Sequence, residues 1–66
     1  MKGTVKMFDT ARGYGFIKGD DGQDAFVHYS QIEGEGYRSL TEGQRVVYST
    51  IQEVRGIRAV AVSIEI

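Results

Sequence analysis

The stretch Arg12-Gly13-Tyr14-Gly15-Phe16-Ile17-Lys18 decides the fold. In a strand, successive side chains face opposite sides of the sheet. Tyr14, Phe16 and Lys18 therefore share one face, and Gly13, Gly15 and Ile17 share the other. Asp24-Ala25-Phe26-Val27-His28-Tyr29 repeats the pattern, with Phe26 and His28 together and Ala25, Val27 and Tyr29 opposite. Between the two runs, Gly19-Asp20-Asp21-Gly22-Gln23 is a turn signal. A core of Ile17, Ala25 and Val27, completed by Val5, Val46 and Val62, is aliphatic and small enough for the inside of a tiny barrel. The opposite choice buries Lys18 and His28 and exposes Ile17 and Val27, at a cost of several kcal/mol for an unpaired charge. The aromatic rings therefore face water.

The rest of the chain has the same character. No segment shows the i, i+3, i+4 apolar spacing of an amphipathic helix, whereas short alternating runs separated by glycine-containing turns indicate strands. We expect a first strand at Lys2–Asp9, a second at Gly13–Lys18, a third at Asp24–Tyr29, a fourth at Gln44–Gln52 and a fifth at Ile57–Ile64, after a turn at Arg55-Gly56. The longest connection, Ser30–Gly43, opens with Ser30-Gln31-Ile32, which can cap a short helical turn. This pattern predicts an all-β, five-stranded antiparallel Greek-key barrel of the OB-fold type. A five-stranded SH3-like barrel fits the strand count almost as well.

Sixty-six residues make one domain, read here as spanning 1–66. Such a chain buries about 60% of the surface that its unfolded form exposes, so stability of only a few kcal/mol is expected. The absence of cysteine excludes disulfides and thiolate zinc sites, and a lone His28 excludes a histidine-rich metal site. No cofactor is expected. Neither a bilayer-length apolar run nor a signal peptide is found, so a cytoplasmic location and no membrane partner are expected. Eight basic against nine acidic residues give a formal net charge of −1. That balance argues against a protein that grips DNA by bulk positive charge.

Local features therefore carry the function. Tyr14, Phe16, Phe26 and His28 on one wet face, beside Lys6, Arg12 and Lys18, would form an apolar patch that a monomer rarely carries without use. Rings flanked by cations make a stacking platform for unpaired bases. Each base gains about 1–3 kcal/mol, with tolerance of sequence because every base has a π-face. The glycines at 13 and 15 allow close approach of backbone or ligand between the rings. The alternative is a protein-interaction module that grips a peptide with the same patch. The absence of acidic residues among the patch positions favours nucleic acid.

Arg12-Gly-Tyr-Gly-Phe-Ile17 and Asp24-Ala-Phe-Val-His-Tyr29 resemble the two RNA-binding signatures of the bacterial cold-shock proteins, each a single cold-shock domain. Gly3-Thr-Val-Lys6, Ile32-Glu-Gly, Gly36-Tyr37 with Leu40, and Glu42-Gly-Gln44 resemble that family in position and spacing, and the likeness covers essentially the whole chain. The first signature also fits the RRM pattern through Phe16. An RRM, however, needs two helices, a longer chain and the signatures in the reverse order.

The resemblance implies an OB-type barrel that binds single-stranded RNA and DNA with low sequence specificity and a pyrimidine preference. It also implies an RNA chaperone or regulator of transcription and translation in the cold-shock response. Carried over by position, the implied contacts are Lys6, Arg12, Tyr14, Phe16, Phe26, His28, Tyr29, Tyr37 and Arg55, with Lys18 on the same face. Tyr29 has the wrong parity, so a bend or strand end must turn it outward, and Tyr37 must reach the platform from the long loop. Met7 stands where the family usually has tryptophan, which implies binding weaker by about 1 kcal/mol on the per-base stacking scale. Val54, Ile57 and Arg58 are unusual for the family's turn, where Gly56 is normally followed by proline. The apolar Ile64 and Ile66 suit core packing or, in an otherwise monomeric protein, a dimer contact.

Catalysis is not expected. His28 and Ser30, two residues apart on a strand, would lie roughly 6–7 Å from each other, beyond hydrogen-bond reach. The run Asp20–Asp24 lacks the ligand order and terminal glutamate of a calcium loop and reads as a solvated hairpin. Glu33-Gly34-Glu35-Gly36 reads as a polar loop.

Overall fold

Alternation and turns resolve into five strands in the structure, a computed structural model that describes residues 1–34 and 39–65. They are β1 (Lys2–Asp9), β2 (Tyr14–Gly19), β3 (Asp24–His28), β4 (Arg45–Glu53) and β5 (Gly56–Ile64). A 3-10 turn, Tyr29–Gln31, follows β3, one residue earlier than the expected cap. Tyr29 is therefore not the last residue of a strand.

The strands close into a barrel in the order β1-β2-β3-β5-β4, with β4 returning to β1 through Lys2↔Val47 and Gly3↔Val46. This is the order of an OB-fold. Four of its seams are antiparallel. The fifth, β3 against β5, is parallel and rests on one register pair, Phe26↔Arg58.

The aliphatic interior is the expected one. Val5, Ile17, Val27, Val46 and Val62 are fully buried, and Ala25 nearly so. Each fully buried Val or Ile contributes about 1.5–3 kcal/mol relative to exposure. Ile32, Leu40, Tyr48 and Ala59 join them, while Phe8 and Ile57 pack against the cluster from its edge. Ile32 and Leu40 tie both ends of the long connection into the core, and Ile32 bridges to Val62. Tyr48 is an aromatic that does point inward. Burial, and then Asp21 and Asp20 nearby, push its hydroxyl pKa up. Ile64 is half exposed at the end of β5 and adds little to the core. Ile66 lies outside the described residues.

Two irregularities bend the sheet. In β1 the register skips Lys6, so that Val5 faces Ile17 and Met7 faces Phe16. Because one residue is left over, Lys6 and Met7 both turn outward and Phe8 turns towards the core. In β5, two residues lie opposite Tyr48 where one is expected. Ala61 there takes φ +51°, a left-handed conformation that costs a non-glycine residue about 1 kcal/mol or more.

Candidate nucleic-acid interface

Strand register builds the site. On the outer face, Met7, Phe16, Phe26 and Arg58 line up across β1, β2, β3 and β5, and a second row runs Asp9, Tyr14, His28. Phe26 lies at the centre. Its ring stacks on Tyr14 at 5.7 Å between centroids and 28° between planes, and meets Phe16 edge-on at 5.8 Å and 78°. Such contacts hold the rings in place, and Tyr14 and Phe26 stay partly exposed. Phe16 is 38% exposed and so is Met7, the residue across from it.

Tyr29 reaches this surface because β3 stops at His28. It is 49% exposed, and its ring lies 4.6 Å from that of His28. Gly13 makes room for it, since a Cβ there would sit 2.7 Å from Tyr29 Cδ1. Tyr37 falls outside the described residues.

The strand end also overturns the distance expected between His28 and Ser30. His28 Nδ1 lies 2.8 Å from Ser30 Oγ and accepts from the Ser30 amide at 3.3 Å. The chain turns rather than extends, so the imidazole caps the 3-10 turn. Asp24 is engaged by Lys6 Nζ at 3.0 Å, and among the described residues no carboxylate hydrogen-bonds to His28. Among the described residues, no group of three His, Asp or Glu side chains could hold a metal ion.

Carboxylates border the platform more closely than its own residue list suggested. Lys6 pairs with Asp24, Arg12 Nε lies 3.8 Å from Asp9, and Arg58 Nη1 lies 3.3 Å from Glu53. The Tyr14 hydroxyl, and then Asp9, raise the Arg12 pKa. Lys18 and Arg55 have no carboxylate partner among the described residues. Exposed pairs of this kind contribute little to stability, so an incoming anion can displace them. Beside the rings opens a groove of about 430 Å³, with Phe16 and Phe26 on one side and Glu53, Arg55, Ile57 and Arg58 around it. Glu53, Ile57 and Arg58 were absent from the expected contacts. The parallel seam that brings β5 beside Phe26 leaves no mark in local alternation.

Comparison with known proteins agrees with this geometry. The model of the 'Cold-shock' DNA-binding domain matches residues 1–64. Cold shock protein 2 of Lactiplantibacillus plantarum is 51% identical over 57 residues, 86% of each chain. Cold shock protein CspB of Geobacillus stearothermophilus is 48% identical, and cold shock protein CspC of Bacillus subtilis 47%, each over 58 residues and 88% of both chains.

Proposed function

Because the chain belongs to the cold-shock DNA-binding domain family, and so is a non-enzymatic nucleic-acid-binding protein, we propose that it holds single-stranded RNA and DNA by stacking bases on the rings of β2 and β3. The observation that carries this reading is the outer row of rings, with Phe16 exposed and the half-buried Phe26 at its centre in contact with Tyr14 and Phe16. Met7, His28 and Tyr29 extend the apolar surface. Lys6, Arg12, Lys18 and Arg55 stand around it for phosphates.

A duplex hides its base faces, so this surface favours unpaired strands. Stacking tolerates sequence and leaves only a modest preference for pyrimidine runs. A monomeric domain that binds this way in the cytoplasm, each contact weak and replaceable, suits an RNA chaperone or a regulator of transcription and translation in the cold. Titration with a T- or U-rich oligonucleotide of about six to eight bases tests the reading, because stacking carries more of the binding than charge. It should bind more tightly than duplex of the same sequence, with log K falling by about 0.7 per phosphate contact for only a few contacts. Equal affinity for duplex, or a steep salt slope, contradicts it.

A further inference from the structure

We infer that Arg58, held in the free protein by Glu53, is an additional phosphate-binding residue at the β5 end of the platform, and that the Glu53 carboxylate occupies the place a backbone phosphate takes. This extends the proposed single-strand interface and rests on that reading.

Three observations carry it. Register makes Arg58 the fourth member of the row Met7, Phe16, Phe26, Arg58, so a strand laid along the rings arrives beside its guanidinium. Arg58 and Arg55 both border the groove next to Phe16 and Phe26, with Glu53 among them. An anion-accepting wall thus adjoins the stacking surface. Most telling is how loosely Glu53 satisfies Arg58. One contact of 3.3 Å joins them, and Arg58 Nε is buried with no acceptor among the described residues.

Arg45, elsewhere in the same molecule, shows what a satisfied guanidinium looks like. Its two terminal nitrogens donate to the two oxygens of Asp20 at 2.8 Å each. A guanidinium held by one long bond has donors to spare, and a phosphodiester with two unbridged oxygens matches its fork. Glu53 stands two residues along β4 from Ile51, the register partner of Arg58, so both side chains lie on the same face of the β4–β5 hairpin close to its turn. The carboxylate can swing into solvent when a phosphate arrives.

The test is titration of labelled T-rich, C-rich and mixed-sequence hexamers at two salt concentrations, with melting curves to confirm folding. The proteins are the wild type, Glu53→Gln, Arg58→Gln and the double variant. Glu53→Gln should bind every hexamer about two- to fivefold more tightly, the scale of one exposed ion pair. Arg58→Gln should bind every hexamer more weakly by a similar factor, with a salt slope shallower by up to about 0.7. In the double variant the gain from Glu53→Gln should vanish, because the carboxylate acts through Arg58. Unchanged binding by Arg58→Gln overturns the inference. So does a loss confined to one base composition, which would make Arg58 a reader of base edges. A gain from Glu53→Gln that persists without Arg58 reduces the carboxylate to general repulsion. Failure of the wild type to bind any hexamer is a separate result, and it removes the interface reading together with this extension.

Discussion

Met7 stands at the head of the outer row, paired with Phe16 and 38% exposed, where the family usually carries tryptophan. A thioether is polarizable and flexible but offers a base no ring. Met7→Trp should therefore tighten binding of a T-rich hexamer by about 1 kcal/mol, roughly fivefold, on the per-base stacking scale. Titrating both proteins side by side checks this, and unchanged affinity would place Met7 off the path of the strand. At this scale the sequence was highly legible for Tyr14, Phe16 and Phe26, because parity plus the cost of burying Lys18 settles which face is wet. It was misleading for His28 and Ser30. Their separation depends on where β3 ends, and a one-residue difference in the strand end turns a gap of roughly 6–7 Å into a 2.8 Å hydrogen bond.

Between elements, β1 and β2 meet closely at Gly15. The sequence marks Gly13 and Gly15 as places where backbone or ligand can come close between the rings. At Gly15 it is the backbone of the neighbouring strand that comes close, since an added Cβ would lie 2.7 Å from Phe8 Cα and collide with the Met7 carbonyl. Both are backbone groups of the strand that carries Met7, and neither can yield without disturbing β1. Gly15→Ala should cost about 1–3 kcal/mol as an overpacking change. For a domain of this size that lowers Tm by roughly 4–8 °C per kcal/mol. A thermal melt within a degree of wild type would show that β1 moves freely.

The five strands themselves were readable because alternation and glycine turns are local signals. The skipped Lys6, the left-handed Ala61 and the parallel seam between β3 and β5 were not. Each depends on how one strand registers against another, which alternation within a strand does not record.

For the whole molecule, a net charge of −1 hides an uneven distribution. Arg45 on β4 holds Asp20 in the β2–β3 turn, Thr4 Oγ1 on β1 and Glu65 just beyond β5, and Lys2 takes the other oxygen of Glu65. The hydrogen bond from Arg45 depresses the Asp20 pKa, and that from Lys2, then Arg45, depresses the pKa of Glu65. In the unfolded chain both carboxylates titrate near pH 4. A depressed folded pKa contributes stability above that point, and the contribution is lost as pH falls through the folded values. Tm should thus decline below about pH 4, and Asp20→Asn should flatten part of that decline while lowering Tm at neutral pH. Identical acid limbs in the two proteins would show that the network is indifferent to protonation. The solvated-hairpin reading of Asp20–Asp24 missed this tie because Arg45 lies 25 positions away.

The central claim is that the rings on β2 and β3 face solvent to receive bases and are not needed to hold the barrel together. Phe16→Ala tests it most directly when oligonucleotide affinity and Tm are measured on the same sample. The account predicts a loss of about 1–3 kcal/mol in hexamer binding, with a cooperative melt retained and only a modest fall in Tm. Full binding by the variant, or a chain that no longer folds, would contradict it.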